Sequence, residues 1–252
     1  REGQTVKRST RDRTEEQRDE EYLTAVKAGD MNAAQRMVDE AAKDAGYTIK
    51  VYRGDSERHN VFDTKRGAGT TQYGPGTYFT DGIGLAQEWA NERAAGNGAK
   101  KGYVGEYYIQ NSDYFDDRSV DLDAPQWKRV EDILRGYGVK ESDMRVARAR
   151  GFTGIAFALQ SVGMISKGNY ATSDWANATI VNNILREAGY KGIVGEFYDC
   201  NQWVIFDPSE AKSADPVTYD DAGNVIPLSE RFNADEADVR YSRRDNLTEE
   251  EQ

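Results

Sequence analysis

Three short stretches of sequence decide how this chain is expected to fold. They read VYRG at residues 51–54, GPGTYFTD at residues 74–81 and QWVIFDP at residues 202–208. Each joins aromatic or β-branched residues, which favour strands, to a glycine or proline that bounds the strand on one side. Each also sets one polar side chain among glycines or apolar residues at the edge of its strand. These polar side chains are Arg53, Tyr78 and Gln202.

Helices and short strands are predicted to alternate irregularly around these stretches. Between residues 20 and 46, apolar residues recur at three- and four-residue steps on either side of Gly29, which predicts two helices with Asp30 as N-cap of the second. Further helices are predicted at 84–95, 127–134, 144–150 and 175–188, and strands at 48–53, 77–80, 103–109, 192–195 and 202–206. This pattern favours an α+β fold around a small split sheet with peripheral helices, because the regular spacing and glycine fingerprint of a Rossmann unit are missing.

The composition indicates a core flanked by solvated segments. Of the 252 residues 31% are charged, and the formal net charge of -11 disfavours non-specific binding to nucleic acid. The one cysteine, Cys200, cannot form an internal disulfide, and no apolar run is long enough for a membrane span. The first residue is not Met, so we expect a piece of a longer protein. We divide it into a charged helical lead-in at 1–46, a main domain at 47–215 and a polar extension at 216–252.

The three stretches, in this order and at these separations, resemble the three-part signature of ADP-ribosyltransferases. The GPGTYFTD element is similar to that of the diphtheria-toxin and poly(ADP-ribose) polymerase branch, and the resemblance runs from Ile49 to Asp215. The chain also resembles the ADP-ribosyltransferase domain of phage and mobile-element polyvalent proteins. Their ends often read like KSADPVTYDD at residues 212–221 and IPLSERFN at residues 226–233.

The resemblance implies an ADP-ribosyltransferase-like split sheet that binds NAD⁺ as its substrate and needs no metal. Cleavage of the nicotinamide–ribose bond passes through an oxocarbenium-like state, so the site must orient the ribose and stabilise positive charge. By resemblance, Arg53, Tyr78 and Gln202 would converge on one pocket. Arg53 and Gly54 would hold the ribose and the nicotinamide amide, Tyr78 would stack on the ring, and Gln202 would touch the ribose 2′-hydroxyl. The other implied cofactor-binding residues are Gly76, Thr77 and Phe79.

Two positions depart from the family pattern. The third motif usually supplies Glu, whose charge in a low-dielectric cleft is worth about 3 kcal/mol, but this chain has Gln202. The first motif of this branch usually supplies His, and here it is Arg53, as in the cholera-toxin branch. Glu196 and Glu210 flank the third motif and are candidates to replace the missing carboxylate, whereas His59 is expected to be a solvated loop residue.

Three functions are therefore open at this stage. The first is a toxin-like, NAD-dependent mono-ADP-ribosyltransferase, a glycosyltransferase that releases nicotinamide and modifies a host protein or nucleic acid. It would act without a membrane in the cytoplasm of the infected cell, delivered from a larger polyprotein. The second is a catalytically degenerate module that binds NAD⁺ or ADP-ribose, which the missing Glu favours. The third is a structural spacer within a polyvalent protein.

Overall fold

The computed structural model describes residues 13–64, 72–118, 125–166, 175–232 and 235–241. Most of the polar amino- and carboxyl-terminal segments, residues 1–12 and 242–252, lie outside these ranges. The described residues form a mixed α/β fold with one seven-stranded sheet and six α-helices. The predicted α+β class is confirmed at this level.

The strands are β1 (Tyr47–Asp55), β2 (Thr77–Thr80), β3 (Tyr103–Gln110), β4 (Tyr114–Asp116), β5 (Gly192–Phe197), β6 (Cys200–Ile205) and β7 (Ala211–Ser213). The helices are α1 (Glu15–Lys27), α2 (Met31–Asp44), α3 (Ile83–Gly96), α4 (Pro125–Gly136), α5 (Glu141–Ser161) and α6 (Trp175–Glu187). The strand order across the sheet is β4-β5-β6-β2-β1-β3-β7, and only the β4–β5 pair is parallel.

Local sequence signals account for most of these elements. The Asp30 side chain accepts a hydrogen bond from the Ala33 amide at 2.9 Å, which confirms it as the N-cap of α2. The strand predicted at 77–80 has the observed bounds of β2, and the helix predicted at 84–95 differs from α3 by one residue at each end.

The prediction was wrong where an element was short or bent. Helix α5 extends to Ser161 rather than ending near residue 150, because Gly151 adopts a positive φ of 57° and kinks the helix without ending it. That break obscures the helical period on either side. Strands β4 and β7 were missed, since three residues are too few to show alternation.

The sheet has two distinct faces. The face that carries Tyr78 and Val204 packs against α4, α5 and α6, and α3 packs beside it over β1; we call this the helix-covered face. The opposite face carries Val51 and Phe79 and is covered by Phe62 and Val239 from irregular segments; we call this the loop-covered face. Strands β1 and β3 share eight paired positions, whereas β1 and β2 share one, Tyr52 with Thr80.

Residues beyond 215 pack onto the domain, so the sequence-based boundary at that position falls inside the packed region. The buried guanidinium of Arg231 donates to the carbonyl oxygens of Asp215 at 2.7 Å and Ser213 at 3.2 Å. It also donates to the Tyr22 hydroxyl on α1 at 3.3 Å. Arg231 therefore ties the chain after β7 to the amino-terminal helices.

Replacing Arg231 with Met tests this clamp. The apolar stem is kept, but the carbonyl oxygens lose their donor, so we expect the free energy of unfolding to fall by about 2–4 kcal/mol. The control is Arg145→Met at an exposed position of α5, which we expect to change it by less than about 0.5 kcal/mol. Urea denaturation measures both, and equal losses would contradict the clamp.

Candidate functional site

A row of side chains crosses the middle of the helix-covered face. Gly195 of β5 is paired with Gln202 of β6, Gln202 with Thr80 of β2, and Thr80 with Tyr52 of β1. Directly paired residues of antiparallel strands point to the same face. Gln202, Thr80 and Tyr52 therefore lie side by side, about 5 Å apart from strand to strand. Gln202 is 5% exposed and Thr80 is fully buried, so the row is largely shielded from water.

Gly54 follows Tyr52 on the same face and lies against α3. A methyl group at this position would overlap the Ala86 carbonyl and approach the Ala90 amide. The Gly54 carbonyl itself accepts a hydrogen bond from the Arg93 guanidinium, in the last turn of α3. Gly54 thus allows α3 to pack closely on β1, and its carbonyl oxygen already accepts a hydrogen bond from Arg93.

Aromatic rings lie near the turn between β5 and β6, beyond Gly195. Trp89 of α3 and Phe197 of β5 have ring centroids 6.4 Å apart, and Phe197 is 4.4 Å from Tyr198. Tyr198 is 76% exposed, and both it and Asp199 have positive φ in the turn between β5 and β6. Sequence reasoning missed Trp89, because a half-buried aromatic in an amphipathic helix looks like an ordinary core residue.

Arg53 does not join the row, so the expected convergence of Arg53, Tyr78 and Gln202 on one pocket is wrong. Successive strand residues point to opposite faces, and Arg53 follows Tyr52, which is paired with Thr80. Its guanidinium lies 5.0 Å from the Phe62 ring centroid, on the loop-covered face.

The guanidinium of Arg53 has partners of its own. It donates to the Tyr78 backbone carbonyl at 3.0 Å and to the Asp55 carboxylate at 2.8 Å, and its Nε is buried without a hydrogen-bond partner. Burial lowers the pKa of Arg53, and the neighbouring Asp55 charge opposes that effect. The contact with Tyr78 joins β1 to β2 where the two strands share a single pair.

The remaining predicted cofactor residues are packed into the core. Tyr78 lies on the same face as Gln202 but is 7% exposed, and its hydroxyl donates to the Gly74 carbonyl at 2.8 Å. Phe79 points to the other face and packs edge-on against Phe62. Thr77 is buried on that face as well, and a methyl group on Gly76 would meet the Val204 side chain at 2.5 Å.

The candidate replacement carboxylates lie away from Gln202. Glu196 alternates with Gly195 and therefore points to the loop-covered face. Glu210 is buried and accepts a hydrogen bond from the Ser112 hydroxyl. The structure places neither beside the Gln202 side chain. His59 is partly exposed, with Nε2 3.7 Å from the Asp55 carboxylate.

Comparisons of the chain with protein-family models, with curated proteins and with solved structures return no match. Within the described ranges, no helix is long and apolar enough to cross a lipid bilayer. Nor do those ranges contain a group of three or more His, Cys, Asp or Glu side chains arranged to hold a metal ion. A cavity of about 320 Å³ lies elsewhere, between α1, α2 and the Leu228–Phe232 segment.

The contact between Gly54 and α3 can be tested by Gly54→Ala. The added methyl meets backbone atoms, which cannot move aside cheaply, so we expect the free energy of unfolding to fall by about 2–4 kcal/mol. The matched control is Gly84→Ala in α3, where the methyl meets nothing within 4 Å and should stabilise by up to about 1 kcal/mol. Thermal unfolding of the two variants should shift in opposite directions, and a neutral Gly54→Ala would contradict the packing.

Proposed function

We propose that this chain binds NAD⁺ along the helix-covered row and transfers its ADP-ribose to a macromolecule of a host cell, releasing nicotinamide. The observation that carries the proposal is the alignment of Gln202, Thr80 and Tyr52 on one face, beside Gly54 and Trp89. The resemblance of the three sequence stretches to ADP-ribosyltransferases supports the same reading. The single pair that joins β1 to β2 lies at the point where a split-sheet core would divide.

The row offers groups suited to a nicotinamide riboside. An amide from Gln202 and a phenol from Tyr52 can exchange hydrogen bonds with ribose hydroxyls. The ring of Trp89 offers an apolar surface for the nicotinamide ring. In this arrangement the Gly54 carbonyl can accept from the nicotinamide amide only when Arg93 moves away from it.

Arg53 takes a different part in the proposal from the one that the sequence suggested. Its bond to the Tyr78 carbonyl holds β2 beside β1 from the loop-covered face. That bond holds the two strands in the register that pairs Thr80 with Tyr52. Arg53 then acts on NAD⁺ through the geometry of the row rather than by contact with the ribose.

A catalytically degenerate NAD⁺- or ADP-ribose-binding module is the second candidate function. The specific observation in its favour is that Gln202 is a neutral amide where a carboxylate would stabilise the oxocarbenium charge. The two candidates agree on the site and differ only in turnover.

Replacing Gln202 with Glu separates the two functions. A carboxylate at this place should raise the rate of nicotinamide release by about tenfold or more, because it stabilises the developing positive charge. The assay follows labelled NAD⁺ incubated with a host lysate, with Gln87→Glu on the exposed side of α3 as the control.

Transfer by the unmodified chain supports the enzyme, and turnover only in Gln202→Glu supports the degenerate module. Absence of label and of nicotinamide release from both proteins would contradict the enzyme. A thermal shift with NAD⁺ then detects binding, since a ligand that binds only the folded state raises the midpoint. No shift would leave the structural spacer as the surviving alternative.

Tyr52→Phe tests the row without disturbing the fold. It removes one hydroxyl from a half-buried side chain, so the Kd for NAD⁺ should rise by about fivefold, the loss of one hydrogen bond. Tyr219→Phe, at a half-exposed position after β7, should leave the Kd unchanged. Calorimetric titration measures both, and equal affinities for the two variants would exclude Tyr52 from the site.

A further inference from the structure

A partly buried carboxylate, Asp117, lies behind Gln202 and has no role in the proposed site so far. Asp117 follows β4 directly and accepts two hydrogen bonds: from the Tyr73 hydroxyl at 2.9 Å and from the Phe152 amide at 2.6 Å. By strand alternation Asp117 shares the helix-covered face with Phe115, which packs in the same core. None of the described cationic side chains forms an ion pair with it.

Tyr73 connects this carboxylate to the row. A methyl group on Gly195 would overlap the Tyr73 hydroxyl, so that hydroxyl fills the space over Gly195. Gly195 is paired with Gln202, and the Cβ positions of such a pair lie about 4.5–5.5 Å apart. The Tyr73 oxygen is therefore within about 8 Å of the Gln202 Cβ, and Asp117 is one hydrogen bond further away.

The groups around Asp117 do not cancel its negative potential at Gln202. The Tyr73 hydroxyl donates its hydrogen to Asp117, so the negative end of its O–H dipole faces away from that carboxylate, and its oxygen accepts a hydrogen bond from the Gln72 side-chain amide at 3.3 Å. Burial raises the pKa of Asp117, and the two donors oppose that effect by stabilising the charged form. The adjacent Asp116 is paired with Val194 on the other face and is bound to Arg118 at 2.9 Å, which neutralises it.

We propose that Asp117 and Tyr73 act together as an electrostatic positioning pair that places negative potential at Gln202. The pair would supply part of the charge stabilisation that a Glu at position 202 provides through direct contact. Tyr73 keeps its proton throughout, so no group is transferred. The coupling between Asp117 and position 202 is a property of the fold, and only its effect on catalysis rests on the proposed function.

A purely structural role for Asp117 makes a different prediction. Its bond to the Phe152 amide caps the part of α5 that restarts after the Gly151 kink, so removing it should cost stability whatever happens at Gln202. The decisive readout must therefore come from position 202 itself.

The experiment places a titratable probe at that position. In Gln202→Glu, labelled with ¹³C at glutamate side chains, NMR measures the pKa of the carboxyl group at 202. Adding Asp117→Asn removes this charge with almost no change of shape, so we expect that pKa to fall by about 0.5 or more. The control adds Asp113→Asn, which alters an exposed, Arg129-bound carboxylate just before β4 and should leave the pKa within about 0.2.

An unchanged pKa at 202 after Asp117→Asn, in a protein that remains folded, would overturn the proposal. If Asp117→Asn does not fold, Asp117→Ser takes its place, because a serine hydroxyl carries no charge and can still accept the hydrogen bond from the Phe152 amide. The pKa at 202 should fall there too, and no change would likewise overturn the proposal.

The catalytic consequence is measured separately. With Gln at 202, Asp117→Asn should lower kcat for nicotinamide release by about fivefold and leave KM unchanged. With Glu at 202, the carboxylate in direct contact supplies most of the stabilisation, so the same change should lower kcat by less. A coupled pKa without any nicotinamide release would mean that the proposed function has failed while the electrostatic pair stands.

Discussion

The pairing of Tyr52 with Thr80 is the constraint on which the candidate site depends. It is the only register position that joins β1 to β2, and it decides which side chains of β1 share a face with Gln202. A slip of one residue would bring Arg53 into the row and turn Tyr52 away. The bond from Arg53 to the Tyr78 carbonyl reinforces this junction from the opposite face, so a residue outside the row helps to define it.

The sequence predicts individual helices and strands better than the register in which the strands pair. Strands β1, β2 and β6 follow from runs of aromatic and β-branched residues, and Asp30 marks the start of α2 through a local hydrogen bond. The face to which each strand residue points depends on register, which is a long-range property. For that reason Tyr78 and Gln202 share a face of the sheet, whereas Arg53 points to the other.

Other features depend on contacts between distant parts of the chain. The role of Arg231 is invisible in sequence, because its partners lie on α1 and after β7. Asp117 likewise reads as one acidic residue among many, and only the fold brings Tyr73 against it and over Gly195. Arg231 is buried and Asp117 partly buried, and both have hydrogen-bond partners, which is the condition under which charged groups are tolerated away from water.

The central claim is that NAD⁺ binds along the helix-covered row. The most direct measurement is a crystal structure of the NAD⁺ complex. The account predicts the nicotinamide riboside against Gln202 and Tyr52, with Arg93 displaced from the Gly54 carbonyl. Density for NAD⁺ on the loop-covered face beside Arg53 and Phe62, or in the cavity between α1 and α2, would contradict it.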